Sequence, residues 1–174
     1  MIVAVVLAAG ASTRFGSPKQ AVLLEPVLAR VRASSSIDDV VVVLGAHAVD
    51  TDATTVHCPE WQRGRGASLR CGLAALDGNV EAAVVVLSDG PSLDPRAIDR
   101  VVDAWREGGG DRVAATYGGV RLHPVLLGRP AWADVPDAGL RGLPAALVPC
   151  DDLESPGDVD FADESEGWPP PNEE

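Results

Sequence analysis

Aromatic side chains make up only 4% of the 174 residues, so the core must be built from Val, Leu, Ile and Ala. That composition suits a buried parallel sheet flanked by Ala-rich helices. Basic surface is lacking too. The formal net charge is −12, and residues 151–174 alone hold ten acidic residues and no Lys or Arg. The first 150 residues carry 16 acidic against 14 basic residues, a balance of −2. Neither part offers the positive field that nucleic-acid binding needs. There are three cysteines, Cys58, Cys71 and Cys150, an odd number with no metal-ligand spacing. Free thiols in a reducing compartment are the simplest reading, which puts the chain in the cytoplasm. The opening run MIVAVVLAAG has no basic residue ahead of it and is too short to span a bilayer. It reads as a buried first strand, not a signal peptide, and no membrane partner is expected. No internal repeat is visible. The length is one domain's worth. Residues 1–160 read as that domain and 161–174 as an acidic, disordered tail ending in WPPPNEE.

Continuous Val-rich runs at 2–7, 40–44 and 82–87 read as central strands covered on both faces. A short strand fits 54–57 and another fits 145–148. Helical spacing covers 20–34, with Pro26 interrupting its start, and 67–76, with Leu69, Leu73 and Leu76 on one face. Asp94 followed by Pro95 is a helix start, and the helix should run to about Trp105. Runs at 113–117 and 120–127 around Gly118-Gly119 predict a hairpin. Strands alternating with helices imply an α/β fold: Rossmann-like, three-layered αβα, with a mostly parallel mixed sheet. Such sheets bind ligands beyond the C-terminal ends of their strands, and the loops at 8–19 and 88–92 lie there.

The first of these loops reads Leu7-Ala8-Ala9-Gly10-Ala11-Ser12-Thr13-Arg14-Phe15-Gly16-Ser17-Pro18-Lys19. Small side chains let backbone N–H groups approach an anion, and Arg14 and Lys19 add two positive charges. Arg can fork onto two phosphate oxygens, whereas Lys supplies a point charge. The loop matches neither the P-loop nor G-x-G-x-x-G, and an ordinary strand-to-helix loop has similar spacing. Asp89, directly after the run at 82–87, can be a turn residue or a Mg²⁺ ligand completed by phosphate oxygens and water. The Gly-rich stretch 61–73 feeds a helix N-terminus, a second natural seat for an anion or a base edge. There Ser68 either caps the helix or reaches a base.

LAAGASTRFGSPKQ resembles the signature LAAGxSxRxGxxK of the nucleotidyltransferases that include the molybdenum cofactor cytidylyl- and guanylyltransferases, the MobA-like NTP transferases. The resemblance extends over roughly 1–160 and implies a nucleotide-diphospho-sugar transferase fold. It implies that Leu7, Ala8, Ala9 and Gly10 hold base and ribose, that Ser12 also binds the nucleotide, and that Arg14 and Lys19 hold the triphosphate. Leu87-Ser88-Asp89-Gly90-Pro91 is similar to the family's G-D-x-P metal segment, with Ser88 in place of Gly. That implies Asp89 as ligand to Mg²⁺ and Ser88 beside the nucleotide. Gly64 to Leu73 resembles the G-x-G-S-S-L-R-x-G-L of the cytidylyl branch, with Ala67 for the first Ser. It favours CTP, with Gly66 and Ser68 as contacts. Tyr117 to Leu127 resembles the hairpin that faces the acceptor, with Leu122 where Gly is usual, and implies that His123 touches the acceptor. Asp152-Leu153-Glu154-Ser155-Pro156 resembles the closing D-x-D-T-P and puts Glu154 in the place of a second metal carboxylate. The implied activity moves CMP from CTP to a small phosphorylated acceptor such as molybdopterin, with catalysis resting on Arg14, Lys19 and Asp89. A sugar phosphate is the alternative acceptor. The chain is shorter than the family pattern between Gln20 and Val27, between Gly45 and Val56, and after Leu127. Those deletions favour a second alternative, a catalytically degenerate nucleotide-binding relative.

Overall fold

The computed structural model describes residues 1–10 and 20–157. Three strands rich in buried apolar residues, β1 (Ile2–Ala8), β2 (Asp39–Leu44) and β4 (Ala82–Leu87), form the frame, with a short, mostly exposed β3 (Thr54–His57) beside β2. A hairpin, β5 (Arg112–Tyr117) and β6 (Val120–Gly128), and a short β7 (Ala146–Pro149) complete one seven-stranded sheet. Its order is β3-β2-β1-β4-β6-β5-β7. Only β6 runs against the others, pairing antiparallel with both β4 and β5. The hairpin turns on Gly118 and Gly119, with φ of 57° and 80°, conformations that glycine enters without a side-chain clash.

Three helices cover the sheet: α1 (Gln20–Arg32), α2 (Arg65–Ala74) and α3 (Pro95–Arg106). Alternation along β1 shows why every residue of it is apolar. Ala4, Val6 and Ala8 pack with Leu28 and Val31 of α1 and Ile98 and Val102 of α3. Val5 and Ala9 pack on the opposite face with Leu69 and Leu73 of α2 and with Ala131 and Val135. Both faces are therefore dry, which is the three-layer αβα arrangement the strand pattern predicts. Asp94 caps α3 by accepting from the Arg96 N–H at 2.9 Å, with Pro95 in the first turn.

Three expectations need correction. Pro26 does not interrupt α1; the helix runs unbroken from Gln20 to Arg32. Leu23, Leu24, Val27, Leu28 and Val31 are all buried, and that packing outweighs the one hydrogen bond proline removes. Secondly, α2 starts two residues earlier than its Leu spacing suggests, so Ser68 sits inside the helix instead of capping it. The N-cap position is Gly64, and no side chain caps there. Thirdly, Cys58 and Cys71 are not free thiols. They form a disulfide with a Cα–Cα distance of 5.7 Å, tying the end of β3 to α2, while Cys150 is free and buried. The acidic tail from 158 onward lies outside the described residues. Among the described residues no helix is long and apolar enough to cross a membrane.

Candidate active site

The C-terminal ends of β1 and β4 lie side by side, with Leu7 opposite Leu87. The Ser88 N–H donates to the Leu7 carbonyl at 3.1 Å, carrying the pairing one step past the strand. Ala8 and Ala9 are buried and Gly10 is exposed. The Ala46 N–H donates to the Ala9 carbonyl at 3.1 Å, fixing the point from which the chain leaves the sheet. Gly45 permits that approach: a Cβ there would stand 2.8 Å from the Ala9 oxygen and 2.6 Å from Trp61 Cβ. Ser12, Arg14 and Lys19 lie outside the described residues.

Asp89 follows β4 directly and is 9% exposed. Its neighbour Gly90 is pressed between two other elements. A Cβ on Gly90 would lie 2.6 Å from His123 Nε2 and 2.9 Å from Pro156 Cβ. The Ser92 N–H donates to the Pro156 carbonyl at 3.1 Å, so the 153–157 segment docks beside the Asp89 loop. That segment is anchored by Leu153, which is buried, and by Asp152, which takes a two-pronged ion pair from Arg100 at 2.6 Å on each oxygen. The pair holds the Asp152 carboxyl down at about 2. Glu154 projects from this docked turn and is exposed. The fold thus brings the Asp89 loop, His123 and the segment bearing Glu154 to one corner. Among the described residues no group of three or more His, Cys, Asp or Glu side chains converges on a metal position. A single buried carboxylate such as Asp89 suits an ion that takes its remaining ligands from phosphate and water, the ordinary mode of Mg²⁺.

His123 sits on β6 across from Leu87. The Leu87 N–H donates weakly to its Nδ1, at 3.5 Å, which leaves the ring proton on Nε2. Burial, opposed by Asp89, pushes the imidazole down to about 4, so the ring is neutral at ordinary pH. Its Nε2 is buried and has no hydrogen-bond partner among the described residues. The Tyr117 hydroxyl donates to the His123 carbonyl at 3.3 Å and steadies the start of the strand.

A cleft of about 490 Å³ opens next to this corner. Leu7, Val85, Leu87 and Val125 form its floor, Arg65 and Leu69 of α2 one wall, and residues 138–141 the other. Arg121 and Arg141 also line it, as does His123. The second wall is held by close packing on α2. The Gly66 N–H donates to the Asp137 carbonyl at 2.9 Å, and Asp137 pairs with Arg70 and, at 3.1 Å, with Arg63. These arginines, Arg70 first, hold its carboxyl below the usual range. Gly66 and Ser68 are buried within α2, and neither lines the cleft. Sequence reasoning passed over Arg65, Arg121 and Arg141. The first two stand inside motifs it singled out, whereas Arg141 lies in a loop with no pattern to mark it.

Residues 4–149 match the family model described as the MobA-like NTP transferase domain. A curated relative, the bifunctional protein GlmU of Sorangium cellulosum (strain So ce56), is 34% identical over 130 residues. That match takes in 59% of this chain and only 27% of the relative's length. Among solved structures, the Rv0371c protein of Mycobacterium tuberculosis H37Rv is 28% identical, with a TM-score of 0.76 over 95% of this chain and 96% of that one. A homologue of Rv0371c from Mycobacterium sp. strain JC1 is 26% identical, with a TM-score of 0.77 over 95% of this chain and 93% of that one.

Proposed function

The chain belongs to the MobA-like NTP transferase family, and from that premise we propose that it moves a nucleoside monophosphate, CMP first, from a nucleoside triphosphate to a small phosphorylated acceptor. The observation that carries the proposal is the corner where the end of β1, the buried Asp89 and the neutral His123 meet. The segment bearing Arg14 and Lys19 starts from that same corner, at Gly10.

In this reading an acceptor phosphate oxygen attacks the α-phosphate in line and pyrophosphate leaves. Arg14 and Lys19 hold the β- and γ-phosphates and stabilise the departing charge. Asp89, with Glu154 as second carboxylate, would hold Mg²⁺, which would supply positive charge at the phosphates. The acceptor phosphate is already an anionic nucleophile, so the step needs no general base. His123 suits that chemistry, since its Nε2–H can donate a hydrogen bond and cannot accept a proton. Catalysis is then positioning and fixed charge. The preference for CTP rests on the likeness of 64–73 to the cytidylyl branch, and molybdopterin as acceptor rests on the same resemblance; a sugar phosphate is the alternative.

Thermal shift with CTP, GTP, ATP and UTP, with and without Mg²⁺, tests the binding half. Stability rises by ~2.7 kcal/mol at a ligand concentration one hundredfold above its dissociation constant. Pyrophosphate release tests the transfer half. Lys19→Ala and Asp89→Ala should each lower the rate by about 10²-fold or more. Near-wild-type turnover in both variants would remove the mechanism. A second reading, a nucleotide-binding relative that no longer transfers, is favoured by the connection from 45 to 53, which contains no helix. Stabilisation by nucleotide without pyrophosphate release from any acceptor would select it.

A further inference from the structure

We propose that the cavity between the start of β5 and the 3₁₀ turn at Arg129–Asp134 is a second small-ligand site, and that it takes an α-amino acid with a short aliphatic side chain. The cavity measures about 410 Å³, within the roughly 300–1,000 Å³ typical of small-ligand sites. Asp111 and Arg112 line it at the entry to β5, Asp134 at the end of the turn, and Pro144 and Ala146 at the entry to β7. It lies away from the transferase corner. Arg112 opens β5 and pairs with Leu127 near the end of β6, whereas Asp89 follows the end of β4 at the opposite edge of the sheet. The site stands independently of the transferase reading.

Arg112 is the first support. Its Nη1 donates to the Pro144 carbonyl at 3.3 Å, while its Nε is buried and has no hydrogen-bond partner among the described residues. Arg129, on the same turn as Asp134, is better served: it donates to the Asp77 and Val80 carbonyls and lies 4.7 Å over the Trp132 ring. The fold thus holds the Arg112 guanidinium in place through one carbonyl and leaves its other donors unmet. The carboxylates are the second support. Asp111 and Asp134 face the same cavity, and neither side chain makes a hydrogen bond or an ion pair among the described residues. Exposed carboxylates can rest in water; a buried Nε cannot. Charges of opposite sign therefore share one concavity without meeting. A lone anion there would face two carboxylates, and a lone cation would face the guanidinium. A zwitterion sets its carboxylate on Arg112 and its ammonium between Asp111 and Asp134, so both signs are answered at once.

The uncharged lining sets the rest of the ligand. Pro130, Ala131, Pro144, Ala145 and Ala146 are apolar, and Ala131 is buried. A short aliphatic side chain is covered by such a wall, whereas a polar one would lose water against it without gaining a partner.

The test titrates the full chain with L-leucine by calorimetry. Two comparisons keep its body and drop one charge each: 4-methylpentanoate lacks the ammonium and 3-methylbutylamine lacks the carboxylate. L-leucine is expected to bind at least about tenfold more tightly than either, since each has lost one charge-assisted contact. R112Q and the double variant D111N/D134N should each weaken it about tenfold, and R106Q, in the last turn of α3, should leave it unchanged. Saturating CTP with Mg²⁺ should not displace it. Arg112 also holds the Pro144 carbonyl, so a thermal melt checks that R112Q is folded; if it is not, the double carboxylate variant decides. Failure of the wild type to bind L-leucine overturns the proposal. So does equal binding of 4-methylpentanoate, wild-type affinity in folded R112Q or in D111N/D134N, or displacement by CTP, which would move the ligand to the transferase corner.

Discussion

Replacing Gly66 by Ala sets two well-measured tendencies against each other. In the interior of a helix, Ala is favoured over Gly by about 1 kcal/mol, so local propensity predicts a gain. Geometry predicts a loss. A Cβ on Gly66 would stand 1.6 Å from the Pro136 carbonyl oxygen, 2.7 Å from its carbon and 3.0 Å from the Asp137 carbonyl carbon. All three are backbone atoms, so no side chain can rotate away, and the 136–141 wall must retreat. That retreat breaks the 2.9 Å bond from Gly66 N–H to the Asp137 carbonyl, worth about 1 kcal/mol. It also strains a packed contact at a typical penalty of about 1 to 3 kcal/mol. The balance is a net loss of about 1 to 3 kcal/mol, or about 2 to 12 °C in Tm for a chain of this size. Thermal and urea melts of G66A read it directly. Gly78→Ala is the control, because nothing lies within 4 Å of its added Cβ, and it should stay within about 0.5 kcal/mol of wild type. A natively folded G66A as stable as wild type, or more stable, would refute the packing of 136–137 on α2.

Two further predictions concern stability. His123 is pushed down to about 4 by burial, while an unfolded histidine titrates near 6.5. Between those values the unfolded chain holds the proton and the fold does not, so stability falls as pH drops through that window, by about 2 kcal/mol at pH 4.5. Denaturant melts at pH 7 and 4.5 should show the fall in wild type and a shallower one in H123Q; equal slopes would mean the imidazole is not held neutral. The Cys58–Cys71 disulfide closes a loop of sequence separation 13, which in the chain-entropy account contributes about 3 kcal/mol. Cys71→Ser, or dithiothreitol added to wild type, should lower Tm by about 6 to 12 °C, and no change with either would show that the bridge contributes nothing.

The sheet was legible because its central strands are covered on both faces and so read as unbroken apolar runs. The start of α3 was legible because Asp94 and Pro95 are chemically suited to a helix N-terminus and the buried face from Ala97 to Val102 follows a helical period. The Asp89 and His123 corner was legible only through motif resemblance. Nothing in the spacing of an Asp and a His 34 residues apart says that a hairpin will bring one beside the other. Cys58 and Cys71 escaped for a related reason: pairing depends on where β3 ends relative to α2, a tertiary fact. The 136–141 wall was illegible because its placement is set by an absence, the missing Cβ of Gly66, together with the pull of Arg63 and Arg70 on Asp137. The anion loop lies outside the described residues, so the placements of Ser12, Arg14 and Lys19 rest on sequence alone.

The proposed function asks one sheet edge to serve two ligands, and the reversed strand bears on how it could. In a wholly parallel sheet every strand ends at the ligand edge and hands over to a loop, so recognition falls to loops. Here β6 starts at that edge. Arg121, His123 and Val125 line the cleft from β6; Val125 pairs with both β4 and β5, Arg121 with β5 alone, and His123 lies where the β5–β6 register shifts. The ladder fixes Val125 from both sides and the Leu87 N–H meets His123 Nδ1, which in the proposed function would supply the rigidity that in-line transfer demands. The parallel strands β1 and β4 supply Gly10 and Asp89 from their ends, where loops can adapt to a nucleotide. The antiparallel strand supplies a stiff surface for whatever receives it. Under the proposed function, a one-residue slip of β6 against β4 would turn His123 away from the Asp89 corner and Arg121 away from the cleft, and transfer should be lost with it.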